Sequence, residues 1–579
     1  PQGQPSLFPE GVGNLSYTLQ YGHNRAKLAW YNIDPLFWRN DSRTPNHIKN
    51  NPETQSNHYS REVLQTEVFP FRSQQNGATQ NISVMDLAYY PSERGPYNFD
   101  DGQGVGAGVA SDEKTLNNPA SRWAGIMRKV ETTDFESSNV EFIQFWMMDP
   151  FDEEDGDPNH GGGKLYFNLG DISEDILKDD RKSVENAMPL TAIDASNENM
   201  IDTTVWGRVP NVQALVNAFD NNEATRPFQD IGLDGLNDAD EVAFFGPTFG
   251  VDPSADNHHH YRGDDYDAAQ VSILGRYKEF NGMDGNSNTS AQDRNPDYSS
   301  AATTKPDLED INGNNNLDFR ENYFQYSIDM SPAGVNPSNV GNNYITNVLE
   351  TSVKTPNGNT KTIRWYQFKI PVREPEDVVG NIQDFKSIRF MRMLMKGFDK
   401  EVVLRFAKLE LVRGEWRKYS GGLLSPGDYI GGDEDLTSFD IAAVNVEENS
   451  SKTPVNYIIP PGIDREINPN PSTGSNIQQL NEQSLVLDVC NLKDGDARGA
   501  YKIMDIDIRR YKKLKMFIHA EESDEMKPLN NKDLSVFIRM GSDFDNNYYE
   551  YEVPLMVTAA GAYNTDNNSN TNDRYEVWP

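Results

Sequence analysis

Two stretches carry the clearest apolar patterning in the chain. Residues 140–148 (VEFIQFWMM) are apolar on both faces, as a central strand buried on both sides should be, and in KLYFNLGD (164–171) Leu165, Phe167 and Leu169 alternate with Tyr166 and Asn168. TIRWYQFKIPV (362–372) and the stretch 387–417 alternate in the same way, the latter broken by a turn at Gly397. A similar arrangement recurs late in the chain. In YKKLKMFIHAE (511–521) Leu514, Met516, Ile518 and Ala520 alternate with Lys513, Lys515, Phe517 and His519; in DLSVFIRMGSD (533–543) Leu534, Val536, Ile538 and Met540 share a face; in YYEYEVPL (548–555) Tyr549, Tyr551 and Val553 do. The lead-ins DFESSNVEF, DFKSIRF and RYKKLKM each place an aromatic residue a few positions before a strand, which suggests internal repetition.

These patterns predict a mainly β protein with two related β-sandwich, jelly-roll-like domains, the first carrying a long mixed insertion with calcium-type loops. An irregular segment with short strand-like pieces occupies 1–111. The first sandwich comprises 112–187 and 333–420. The insertion, 188–332, holds the one convincing helical pattern, NVQALVNAF (211–219). A Pro/Gly/Ser-rich linker covers 421–483 and the second sandwich 484–579. An insertion of that length between strands marks a functional or docking element.

Composition narrows the functional classes. With 89 acidic against 53 basic residues the formal net charge is −36, and such a surface repels phosphate backbones and anionic lipid. Cys490 is the single cysteine, so the chain has no internal disulfide and no cysteine-based metal site; within SLVLDVC it reads as a small buried apolar residue. No window approaches the ~18 apolar residues of a membrane helix. The chain opens on Pro1 without a signal-like segment and reads as a piece of something larger.

The insertion contains two loops with the calcium register, in which oxygen ligands come from positions 1, 3, 5, 7, 9 and 12. DINGNNNLDFRE offers Asp310, Asn312, Asn314, the Asn316 carbonyl, Asp318 and Glu321. Asn315 stands where glycine usually makes the turn, a position whose left-handed backbone asparagine tolerates. The flanks are a Pro306-containing coil and a strand-like tail, so this loop is expected to be a structural clip, not a helix-opening sensor. DIGLDGLNDADE offers Asp230, Asp234, the Leu236 carbonyl, Asp238 and Glu241, with Gly235 at position 6 and Gly232 leaving position 3 without a side chain. Calcium, in a structural role, is the expected cofactor. The run His258–His260 is a poor transition-metal site, because adjacent histidines do not converge on one ion. No catalytic motif stands out, and no enzymatic activity is expected.

The stretch 122–151, together with NRAKLAWYNIDPLF, LAYYPSERGPYNFD, LRFAKLELVRGEWRKY, PPGIDRE, NEQSLVL, YKKLKMFIHAE and the terminal YEVWP, resembles the SprA/Sov family of gliding-motility proteins, and the matching motifs occur in order over nearly the whole chain. The resemblance implies a role in the outer-membrane translocon of the type 9 secretion system, which exports folded proteins. It implies as partners an accessory PorV-like barrel shuttle and secreted cargo. The amphipathic strands of about ten residues that build a membrane barrel are not evident here, so the resemblance is to a portion between barrel segments, facing the cell surface, the barrel lumen or the periplasm. A second reading, drawn from the residues without the family, is a calcium-stabilised β-sandwich that binds glycans or mediates adhesion, with aromatics such as Trp30 or Trp38 stacking on sugar rings.

Overall fold

In the computed structural model, which describes residues 18–72, 80–103, 106–110, 115–152, 156–189, 197–211, 225, 228–229, 231–280, 306–423, 436–465, 467–469, 477–479, 481–504, 507–522, 528–564 and 571–578, the alternating segments around 140–171 and 360–413 become strands of two stacked sheets. They belong to the first of two units, Pro1–Val63 with Ile82–Val412; the second is Leu64–Asn81 with Arg413–Pro579.

The strands of the first unit are β1 (Ala26–Tyr31), β2 (Val84–Arg94), β3 (Trp123–Lys129), β4 (Val140–Met148), β5 (Lys164–Asp171), β6 (Ile201–Thr203), β7 (Arg208–Pro210), β8 (Asn322–Asp329), β9 (Ile345–Lys354), β10 (Thr360–Pro371), β11 (Asp377–Val379), β12 (Phe390–Lys396) and β13 (Val402–Arg413). One sheet has the order β1-β2-β13-β4-β10-β9, and the other, antiparallel throughout, β11-β8-β5-β12-β3; β6 and β7 form a separate ribbon. The two sheets meet through aromatic side chains. Phe145 of β4 stacks on Phe368 of β10 at 4.9 Å and on Phe167 of the opposite sheet at 5.7 Å, with Phe406 of β13 edge-on at 5.3 Å. Each such ring, fully buried, contributes about 1.5–3 kcal/mol.

The continuous apolar character of β4 and β2 follows from burial on both faces. In β2, Leu87 and Tyr89 face the other sheet, while Ala88 and Tyr90 join a second cluster with Tyr31, Phe37, Ile48, Ile273 and Tyr277. The rings of Tyr31 and Tyr277 stack at 4.4 Å. Polar clips hold the N-terminal segment over this outer face. His58 Nε2 lies 2.8 Å from the Asp149 carbonyl, and Arg405, buried within β13, binds Asp86 of β2 at 2.8 Å and donates to the carbonyls of His58 and Arg61 at 2.8 and 3.0 Å. Two of the rhyming lead-ins are spatial neighbours: Phe135 N–H donates to the Phe385 carbonyl at 2.8 Å, and Ile388 N–H to Thr133 at 2.9 Å.

Several expectations change. The segment 1–111 supplies β1 and β2 to the six-stranded sheet, and 188–332 ends in β8, a strand of the five-stranded one, so both are woven into the sandwich. The expected turn at Gly397, at φ +89°, carries the chain from one sheet to the other. The helical pattern at 211–219 lies almost wholly outside the described residues.

In the second unit the described strands form two-stranded ladders: β14 (Arg417–Lys418) with β19 (Ala500–Tyr501), β15 (Ser438–Asn445) with β18 (Gln483–Cys490), β16 (Ile467–Pro469) with β17 (Ile477–Gln479), and β20 (Ser535–Gly541) with β21 (Tyr548–Pro554). Residues expected to be linker thus pair with residues expected in the second sandwich. The alternating stretch 511–519 forms no strand, with Leu514 59% exposed, and Cys490 is exposed, not buried. The β20–β21 register does place Val536, Ile538 and Met540 opposite Val553, Tyr551 and Tyr549. A small core of Val446, Val455, Tyr457, Ile458, Val577 and Trp578 anchors this unit.

Candidate cation-binding loops

The loop 231–241 is folded by its apolar and glycine positions. Ile231, Leu233 and Leu236 are buried, Leu233 against Tyr97, Phe99 and Trp206. Its N–H donates to the Tyr97 hydroxyl at 2.7 Å. Gly232 and Gly235 take φ of +66° and +68°; a Cβ on Gly235 would lie 2.3 Å from the Arg208 carbonyl oxygen, so both backbone conformation and space demand glycine. Asn237 then caps a helix, Asp238–Phe245, accepting the Asp240 N–H at 3.1 Å. That helix went unseen in the sequence, though the cap and the acidic first turn that signal one are present. Asp238 and Glu241, three apart, fall on one side of it.

Of the predicted ligands, Asp234, Asp238 and Glu241 are brought together; Asp230 lies outside the described residues, and Leu236 is buried with its N–H donating to Asp234 Oδ1 at 2.9 Å. Two further carboxylates come from beyond the loop. Oxygen atoms of Asp234, Glu241 and Asp256 lie within 4.8 Å of one another, as do those of Asp238, Glu241 and Asp252. Ser254 organises the group: its hydroxyl donates to Asp234 Oδ2 at 2.5 Å and its N–H to Glu241 Oε2 at 2.9 Å. Burial, reinforced by the neighbouring carboxylates, raises Asp234, Glu241 and Asp256 above the usual carboxylate range.

The loop 310–321 has the expected turn and a different electrostatic environment. Asn315 sits at φ +65°, the left-handed conformation anticipated for position 6. Asp310 accepts N–H groups of Asn314 and Asn315 at 3.1 and 2.7 Å; Asn312 and Asn314 accept the N–H groups two residues on, those of Asn314 and Asn316. Each acidic register position faces a cation of the chain itself: Asp310 faces Lys182 at 3.7 Å, Asp318 Arg389 at 2.9 Å and Glu321 Arg392 at 3.2 Å. Among the described residues, Asp310, Asp318 and Glu321 are not one of the groups whose ligand atoms lie within 4.8 Å of one another. Two acids outside the register do the clipping. Fully buried Glu309 accepts N–H groups of Ile176, Leu177 and Ser183, and Glu174 accepts those of Asn312 and Asp318. Burial pushes Glu174 up to about 7.

Other candidates are spoken for. In the group His23, Asp100 and Asp101, Asp100 is paired with buried Arg122 at 2.6 Å. His259 turns to Asp265 at 3.1 Å while His260 stacks on Tyr261 at 4.3 Å, so the histidine run does not converge. Trp30 and Trp38 are half-buried against the two core clusters, and the Trp38 indole donates to the Ser60 carbonyl at 3.0 Å. An open depression of about 720 Å³ at one end of the five-stranded sheet is lined by Lys164, Lys396, Asp329, Glu376, Ser327 and Asn343. No described helix is long and apolar enough to cross a membrane.

Residues 236–579, more than half of the chain, match the family model SprA_N, described as a motility related/secretion protein. No curated protein matches the sequence.

Proposed function

This chain belongs to the SprA_N family of motility related/secretion proteins, and from that premise we propose that it is a non-enzymatic structural and gating segment of the outer-membrane translocon of the type 9 secretion system. In this role it is carried by a parent barrel, contacts an accessory PorV-like subunit, and helps folded cargo proteins cross the outer membrane.

The observation that carries an assembly role is the set of large apolar residues that the second unit exposes. Tyr549 and Tyr551 are 78% and 70% exposed, and Met540, Leu514, Met516 and Tyr511 are exposed as well. Among the described residues β20 and β21 pair only with each other. A two-stranded ribbon is marginal alone, and exposed apolar residues on such a ribbon mark an interaction site, most simply one where a partner adds strands or covers the face. The occupant proposed is another protein of the same secretion assembly.

The test uses the full-length parent in its own cells, with a photo-crosslinking residue at position 551 and, as control, at exposed Thr360 of β10. An adduct with an identified outer-membrane component of the secretion machine, formed from 551 and not from 360, is expected. Equal background from both positions would overturn the assembly reading.

A further inference from the structure

The two calcium-type loops differ in one respect that decides between them. In 310–321 the acidic positions are neutralised by Lys182, Arg389 and Arg392. Around 231–241, Asp234, Asp238, Glu241, Asp252 and Asp256 form no ion pair with any described lysine, arginine or histidine. The guanidinium groups of Arg208 and Arg94 act on Asp234 and Asp252 only through space and donate their hydrogen bonds elsewhere: Arg94 to the carbonyls of Asn98, Phe249 and Pro253, and Arg208 to Asp240.

A helix N-terminus attracts acidic residues, which accounts for Asp238, Asp240 and Glu241. It does not account for Asp234, Asp252 and Asp256, which arrive from outside the helix. Asp256 is the independent sign of a ligand. The residue is 8% exposed and its carboxyl lies beside the Tyr97 hydroxyl, yet its Oδ2 has no hydrogen-bond partner, and Asp252 Oδ1 is likewise a buried oxygen without one. A buried carboxylate oxygen left without a donor is costly, and a cation removes that cost. Asp256 Oδ2 also lies 1.9 Å from where a Cβ would stand on Gly232, so the glycine that leaves position 3 without a ligand makes room for one from outside the loop.

The geometry points to a calcium site built by Asp234, Glu241 and Asp256, with Asp238 and Asp252 completing its rim. Opposite ligands of an ion with bonds of about 2.3–2.6 Å stand about 5 Å apart, and the oxygen atoms here lie within 4.8 Å. The donors are all oxygen, which selects a hard cation, and a glycine-coiled loop rich in carboxylates favours calcium over the smaller, geometrically stricter magnesium. The site joins the loop to 252–256 and, through Phe245 packed against Phe99 with ring centres 4.3 Å apart, fixes the helix against the segment that follows β2.

Calorimetric titration of the full chain with calcium chloride, after chelator treatment and dialysis, tests this. One site per chain is expected, with magnesium chloride weaker by about tenfold or more. Asp256→Asn should weaken calcium by about tenfold or more and abolish the rise in thermal midpoint that calcium gives the parent chain, whereas Asp310→Asn should leave both unchanged. Near-UV circular dichroism checks folding; if Asp256→Asn fails to fold, the more peripheral Asp252→Asn decides by the same criterion. A wild-type chain that neither binds calcium nor gains thermal stability from it overturns the assignment. So does calcium binding lost in Asp310→Asn and kept in Asp256→Asn.

Discussion

Replacing Arg405 by methionine removes the clip that fastens the N-terminal segment to the six-stranded sheet while keeping most of the side chain's volume. Arg405 and Asp86 are 2% and 0% exposed, and one guanidinium serves Asp86 and the carbonyls of His58 and Arg61. Removing one member of a buried pair costs about 3–5 kcal/mol, because the other is left charged and desolvated. The two orphaned carbonyls act within the same network and do not add in full, so about 4 kcal/mol is expected for Arg405→Met. The effect has a pH signature. Burial, only partly offset by Arg405, pushes Asp86 up to about 6 from an ordinary 3.8. An acid whose folded pKa is raised binds protons more tightly in the native state, so its stabilisation is lost as pH rises through that window. Without Arg405 the window extends upward, and the difference between variant and parent should be smaller near pH 5 than near pH 8. Urea unfolding of the full chain, followed by tryptophan fluorescence at both pH values, measures it. A loss below about 1 kcal/mol, or one independent of pH, would refute the reasoning.

Phe145→Ala should destabilise the first unit by about 3–5 kcal/mol, since the ring is wholly buried among three other phenylalanines; calorimetric melting checks it. Burial holds His58 down to about 4, so between pH 7 and pH 5 the unfolded chain takes up a proton the folded one refuses. Stability should fall by about 2 kcal/mol over that interval, and His58→Gln should flatten the dependence in denaturant titrations. Gly235→Ala, at φ +68° with a carbonyl oxygen 2.3 Å from the new Cβ, should lower the thermal midpoint well beyond Gly358→Ala, at φ +89° with nothing within 4 Å; the latter should cost only about 1 kcal/mol.

Alternation was enough to find β4, β5, β10, β12 and β13, because each buries one or both faces and the pattern is local. It did not reveal that β1 and β2 complete the same sheet: Asp86 and Arg405 meet across 319 residues, and nothing near either one names the other. The stretch 511–519 alternates as well as any strand, yet the same pattern fits a segment outside any sheet whose Leu514 and Met516 stay exposed, and a period of two cannot tell the cases apart. The proposed cation site was half legible. Asp234, Asp238 and Glu241 follow a known register, whereas Asp252 and Asp256 reach the site from a separate turn, and the gap at Gly232 was the one local hint that a ligand comes from elsewhere. At 310–321 the register was complete, but the neutralising residues Lys182, Arg389 and Arg392 are distant in sequence.

The central claim is that this chain serves secretion through the face it exposes. The most direct measurement is export by cells whose full-length parent carries Tyr549→Glu and Tyr551→Glu, two exposed positions where added charge leaves the described cores untouched. Cargo in the medium should fall by about tenfold or more, with cargo retained in the cells and the parent present in the outer membrane at its normal level. Unchanged export with the same amount of parent protein would contradict the account.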